Sequence, residues 1–190
     1  GAVAVLIIAT LRGEASFELI WDSLMRTMKS TGTIIWVTIG MLGLTHALGA
    51  SIYLLNLENT GSLAEFHLMF ESWSSGEKLA MLPILALCPG VAEEMFFRGY
   101  ALTKLELARG FGFAAIASAL LFGLIHLDPI HSVAAALMGV YLAYAVRVTG
   151  SIWPTIIAHI VNNSLAVSFP NLIPEQTFAQ VLCLVLGLAV

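Results

Sequence analysis

Residues 78–103, KLAMLPILALCPGVAEEMFFRGYALT, decide the fold. The stretch is apolar for longer than the ~20 residues an α-helix needs to cross bilayer hydrocarbon. Yet Glu93, Glu94 and Arg98 stand well inside it. A charged side chain at mid-bilayer costs at least ~2.5 to 3.5 kcal/mol, so three in one segment imply a polar interior lined by protein. Glu94 and Arg98, four positions apart, share a helix face and can pair, while Glu93 points about 100° away. Pairing then neutralises one carboxylate and leaves its neighbour free to work. Pro89-Gly90, just before them, would loosen the backbone hydrogen bonding, as discontinuous helices do around polar cavities. The bland alternative is a buried Glu94–Arg98 salt bridge with Glu93 capping a broken helix and no chemistry at all.

The rest of the chain supports a membrane setting. Of its residues 59% are apolar and 11% charged, against about 25% charged in a soluble domain; mean hydropathy is +0.93. The fold class expected is all-α, a polytopic transmembrane bundle of about seven spans: 1–11, 32–55, 78–103, 111–127, 131–148, 152–169 and 177–190. The first and last of these look truncated, because the chain opens on Gly1 without a Met and closes on Val190 inside an apolar run. Ala2 to Leu11 reads as the tail of a spanning helix and not a signal peptide, since no basic region precedes it. Between the first two spans, Phe17, Ile20, Leu24 and Met28 recur at helical spacing among Glu14, Glu18, Asp22, Arg26 and Lys29. That pattern predicts an amphipathic helix lying on the membrane surface. No composition break or repeat divides residues 1–190, which read as a single integral membrane domain.

Basic residues fall in alternate connections, as the positive-inside rule requires. Arg12, Arg26 and Lys29 lie in the first, Lys104 and Arg109 in the third and Arg147 in the fifth. The second connection, 56–77, carries Glu58, Glu65, Glu71 and Glu77 with no basic residue before Lys78, and the last, 170–176, only Glu175. Odd connections are therefore assigned to the cytoplasm. In the loop after the fourth span, Asp128 is expected to cap a helix whose first residue is Pro129. A net charge of −4 with eight scattered Lys and Arg gives no nucleic-acid footprint. Cys88 and Cys183, each inside an apolar run, read as packing residues and not as a disulfide or metal site.

Two further spans bring polar groups. Phe122-Gly123-Leu124-Ile125-His126 ends the fourth, and His159-Ile160-Val161-Asn162-Asn163 lies in the sixth. His159 and Asn163 project from one face; Asn162, three from His159, is the lesser candidate. A lone intramembrane His is commonly a satisfied packing residue, but two His, an Asn and a Glu pair on three spans are harder to dismiss. His46, His67 and His131 lack such company and are given packing or surface roles. Trp36, Trp153, Phe96 and Phe97 read as lipid-facing, interfacial or core positions.

The ordered set Glu93-Glu94-x-x-x-Arg98, Phe122-x-x-x-His126 and His159-x-x-x-Asn163 resembles the CAAX prenyl protease and bacteriocin-processing (Abi) family. Val148 to Pro154, leading into His159, is similar to what precedes the last motif there. The resemblance covers about residues 78–170, the expected catalytic core. It implies an intramembrane endopeptidase in which Glu93 is the general base, His126 helps hold the water, and His159 and Asn163 form the oxyanion site, with Glu94 and Arg98 in support. The chemistry is consistent, since desolvation strengthens a carboxylate as a base. The expected partners are the bilayer and a membrane-associated or lipid-anchored peptide, with no cofactor and no metal, in a prokaryotic plasma membrane. Two other readings use the same residues. Two Glu and two His are a plausible zinc set with an open position, although no HExxH is present. Alternatively, Glu, His and Arg could relay protons in a small transporter, for which paired broken helices would be expected. A silent scaffold is disfavoured because no motif position is missing.

Overall fold

The computed structural model describes residues 2–14, 16–57 and 63–168, together with positions 177 and 180. Among these residues every regular element is helical: α1 (Ala2–Leu11), α2 (Phe17–Leu54), α3 (Leu63–Ser72), α4 (Ser75–Leu82), α5 (Cys88–Glu94), α6 (Leu102–Arg109), α7 (Phe111–Leu124), α8 (Pro129–Thr149) and α9 (Trp153–Ser168). Apart from positions 177 and 180, the expected span 177–190, with Cys183, lies outside the described residues, as do Glu58, Glu175 and the side chain of His67.

Among the described residues, three helical stretches are long and apolar enough to cross a bilayer: Phe17–Leu54, Ser75–Arg109 and Pro129–Thr149. The predicted span 111–127 forms the shorter helix α7, of 14 residues, which at about 1.5 Å per residue reaches only ~21 Å, less than the ~30 Å of hydrocarbon; the predicted span 152–169 is helical over its described residues, as α9. Side chains such as Ile35, Trp36, Ile39, Leu120, Leu124, Phe96, Tyr144 and Trp153 point outward. In lipid this apolar exterior carries no penalty, and the chain is an integral membrane bundle.

Two expectations are corrected. The amphipathic segment 14–30 is not a separate surface helix. It is the first half of α2, which runs unbroken for 38 residues, about 57 Å. Charged residues change a segment's solvent preference but do not interrupt helical hydrogen bonding. No Pro lies in α2, and Thr27 and Thr33 donate their hydroxyls back to the carbonyls of Ser23 and Lys29 across the joint. The helix starts where Ser16 accepts from the Leu19 N–H at 3.1 Å, as an N-cap does. The second correction concerns Cys88, which is exposed on the outside of the bundle and not packed within it.

The span that carries Glu93 begins with a capping box, in which Ser74 and Glu77 satisfy each other's backbone N–H groups. It then twice widens into π-helical turns, at Pro83–Leu87 and Met95–Ala101, on either side of α5. The looser hydrogen bonding expected around Pro89-Gly90 takes this form, and the segment stays helical throughout. Asp128 caps α8 as expected, accepting from the N–H groups of Ile130 and His131 at 3.1 and 2.9 Å. Small residues let the helices approach closely. Gly123 meets the Ser132 carbonyl and Ala136 where α7 and α8 cross. Ala114, Ala115 and Ala143 pack with Leu102, while Val37 and Met41 of α2 pack against Leu142, Ala145 and Ala158.

Candidate functional site

The site is built where α5, α7 and α9 converge. Glu94, at the end of α5, and Arg98, in the second π turn, are buried to 0% and 1% exposure. Arg98 Nη1 donates to Glu94 Oε1 at 2.7 Å. The guanidinium carbon lies 4.3 Å from the centre of the Phe122 ring, on α7. That geometry adds a cation–π attraction strengthened by the absence of water. Glu94 Oε2 and Arg98 Nε and Nη2 are buried without hydrogen-bond partners. The pair is therefore held by one short charge-assisted bond and the aromatic face, an arrangement in which neither charge can lose the other cheaply.

His159 enters from α9. Its Nδ1 is 3.1 Å from Glu94 Oε1, so Nδ1 carries the proton and donates it to the carboxylate. Its Nε2 is turned toward Glu93, 3.7 Å from Oε2, beyond direct hydrogen-bond range. The side chain of Glu93 is 25% exposed, against 0% for Glu94. Of the two adjacent carboxylates one is locked to a cation and the other borders open space.

His126 is one ring further along. Its Nδ1 is 2.9 Å from the Phe122 carbonyl. That carbonyl can only accept, so Nδ1 holds the hydrogen and Nε2 presents a lone pair. The Phe122 ring lies 5.1 Å from the His126 ring and 5.9 Å from that of His159, nearly perpendicular to both. Among the described residues no hydrogen bond joins His126 to Glu93; the two belong to one cluster through Phe122. One aromatic ring thus bridges His126 and His159.

Asn163, one turn beyond His159, has its Nδ2 3.5 Å from the carbonyl of Leu85. Leu85 is the residue an α-helix would pair with the N–H at position 89, and Pro89 has none. Asn162 Nδ2 lies 3.4 Å from Asn163 Oδ1, and Thr45 Oγ1 of α2 lies 2.8 Å from Asn162 Oδ1. Sequence reasoning did not single out Thr45. It shares a face with the buried Val37 and Met41, two turns and one turn earlier, and a polar residue on a buried stripe was the available signal.

His131, given a packing or surface role for want of polar company, does have it. Its ring centre is 4.4 Å from that of His126. The signal was the tight hairpin at Asp128-Pro129, since residues placed symmetrically about such a turn face each other. His46 bonds the Leu42 carbonyl at 2.7 Å within its own helix, consistent with a packing role. No three His, Cys, Asp or Glu side chains among the described residues are gathered so that they could hold a metal ion.

The far ends of these helices meet at a second polar contact. Arg147, near the end of α8, pairs with Glu106 of α6 at 2.8 Å. The connections after α6 and after α8 therefore lie at the same end of the bundle. The site lies toward the opposite end, since Asp128 and His126 are at the other end of the α7–α8 hairpin.

A family model for type II CAAX prenyl endopeptidases, Rce1-like, matches residues 75–165. No curated protein and no solved structure gives a significant match. The matched segment holds Glu93, Glu94, Arg98, His126, His159 and Asn163 but stops short of Thr45 and the whole of α2. With its motif residues converging inside an apolar helical bundle, the segment 75–165 is similar to the Rce1-like type II CAAX prenyl endopeptidase family, in line with the resemblance carried by its motifs.

Proposed function

We propose that the chain hydrolyses a peptide bond of a membrane-anchored, prenylated substrate, using a water molecule activated by Glu93. One observation carries this reading. Of two adjacent carboxylates, Glu94 is buried against Arg98 and His159 while Glu93 is a quarter exposed, with His159 Nε2 3.7 Å away, beyond direct hydrogen-bond range. An ion pair serving structure alone would need neither the second carboxylate nor the histidine.

In the proposed reaction Glu93 takes a proton from water as the oxygen attacks the peptide carbonyl. His126 Nε2, free to accept because Nδ1 is committed to Phe122, helps orient that water. The carbonyl oxygen becomes an oxyanion facing the Asn163 amide and the His159 ring, which donates from Nε2 in its doubly protonated form while Glu94 holds its Nδ1–H. Donors aimed at such a charge in a low-dielectric site are worth about 2.7 to 4 kcal/mol each. Collapse of the tetrahedral intermediate breaks the C–N bond, and the proton held by Glu93 passes to the departing amine. The products are a new C-terminal carboxylate and a released peptide. Glu94 and Arg98 hold His159 and take no part in proton transfer. Residues 1–190 act as one membrane unit, with the odd-numbered connections on the cytoplasmic side of a prokaryotic plasma membrane.

The test uses the full chain reconstituted in liposomes with an internally quenched peptide bearing an S-farnesyl cysteine three residues from its C-terminus. Release of the terminal tripeptide, identified by mass, is expected. Intact peptide together with proton flux across the same liposomes would replace this reading with the transporter.

A further inference from the structure

We infer that Thr45 of α2, outside the segment matched to the family, is a positioning residue that fixes which end of the Asn163 amide faces the reaction. The inference rests on the oxyanion role proposed for Asn163. Its observation is an unbroken polar chain across three helical elements: Thr45 Oγ1 to Asn162 Oδ1 at 2.8 Å, Asn162 Nδ2 to Asn163 Oδ1 at 3.4 Å, and Asn163 Nδ2 to the Leu85 carbonyl at 3.5 Å.

Such a chain has two polarities. In the first, Thr45 donates to Asn162, Asn162 donates to Asn163, and Asn163 turns its NH2 toward Leu85 and the site. In the second, the Thr45 hydroxyl returns its single hydrogen to the Met41 carbonyl, 3.0 Å away. Asn162 then flips to donate to Thr45, and Asn163 flips to donate to Asn162. That second arrangement turns the Asn163 oxygen toward the Leu85 carbonyl, setting two acceptors face to face. Pro89 supplies no N–H to Leu85, so in this polarity the α-helical partner is missing as well. The first polarity satisfies both ends. An amide NH2 carries two hydrogens, and with one given to Leu85 the second is available to an oxyanion.

Thr45 matters because it closes the other end of the chain. Asn162 and Asn163 are adjacent on α9, and neither alone decides its orientation. A hydroxyl from α2 that donates to Asn162 Oδ1 ties both to the proline-interrupted helix. Helix α2 packs along α9 here, with Met41 and Ala158 in one apolar cluster, so the hydroxyl is held in register by the buried stripe it belongs to. Without it, Asn162 loses its donor and both amides can rotate, which presents an acceptor to the oxyanion for part of the time.

The experiment compares Thr45→Val, which keeps the shape and removes the hydroxyl, with Thr45→Ser, which keeps the hydroxyl. Both are assayed in liposomes on the farnesylated peptide, with thermal midpoints measured in parallel. Thr45→Val should lower kcat about tenfold while leaving KM within about twofold, because an interaction made only in the transition state moves kcat alone. Thr45→Ser should restore most of the loss. In an Asn163→Ala background Thr45→Val should have no further effect, since it acts through that amide. Wild-type kcat in Thr45→Val, or a loss that Thr45→Ser does not repair, overturns the positioning role. Full turnover in Asn163→Ala alone would overturn the oxyanion reading and the positioning role with it. A crippled Asn163→Ala beside an indifferent Thr45→Val overturns the positioning role only.

Discussion

Replacing Glu94 by Gln keeps the size and shape of the side chain and removes one charge from the most deeply buried pair in the site. One oxygen of Glu94 receives both Arg98 Nη1 at 2.7 Å and His159 Nδ1 at 3.1 Å. Hydrogen bonds to a charged acceptor contribute about 1.5–3 kcal/mol and neutral ones about 0.5–1.5, so weakening two costs ~2 kcal/mol. The larger effect falls on Arg98, which is 1% exposed and cannot shed its proton. Stranding a buried charge typically costs about 3–5 kcal/mol. Arg98→Met should cost less, because the carboxylic acid left behind can take up a proton and become neutral. The double variant Glu94→Gln/Arg98→Met removes both charges and should recover most of the Glu94→Gln loss. Thermal aggregation in a mild detergent, with yield of folded protein as a second readout, would rank the four proteins. Wild type should come first, then the double variant and Arg98→Met, with Glu94→Gln last. A Glu94→Gln protein as stable as wild type, or a double variant no better than Glu94→Gln, would refute the reasoning.

Four further outcomes are expected. In Gly90→Ala the new Cβ would lie 2.5 Å from Ile160 Cγ1 and 3.1 Å from the Ile160 backbone nitrogen; overpacking of this kind costs about 1–3 kcal/mol. Displacing α9 beside His159 should lower both thermal stability and turnover, and unchanged kinetics would mean that the helices yield elsewhere. Asn163→Ala should reduce kcat by about a hundredfold or more with substrate binding largely intact, checked by single-turnover kinetics and a binding assay with uncleaved peptide. With Cys88 replaced by Ala, Glu65→Cys should react with an impermeant maleimide in intact cells and Lys104→Cys only after lysis; the reverse pattern would invert the topology. Activity should survive exhaustive chelation, and loss of activity restored by one zinc per chain would favour the metal reading.

The intrahelical part of the site was legible because it depends on spacing alone. Glu94 and Arg98 meet across one turn, and Asp128 caps α8, as local rules require. Contacts between helices were legible only where the partner residues already looked out of place in lipid, as His159 does beside the Glu pair. Thr45 did not look out of place, since a Thr hydroxyl can satisfy itself on its own helix, and here it is also within 3.0 Å of the Met41 carbonyl. Its second partner, Asn162, lies more than a hundred positions away, where periodicity carries no information. The join at residues 30–32 was misread for another reason. Hydropathy marks where a segment changes solvent, whereas helix ends are set by capping and backbone geometry, and in α2 the two do not coincide.

The assignment of Glu93 as the base is tested most directly by single-turnover cleavage of the farnesylated peptide with Glu93→Gln in liposomes. The variant keeps the volume and shape of the side chain but cannot take a proton from water. With Glu94, Arg98 and His159 untouched, its thermal midpoint should stay at the wild-type value while cleavage falls to the uncatalysed background. Cleavage by Glu93→Gln at the wild-type rate would contradict the mechanism outright, and would require another group to activate the water.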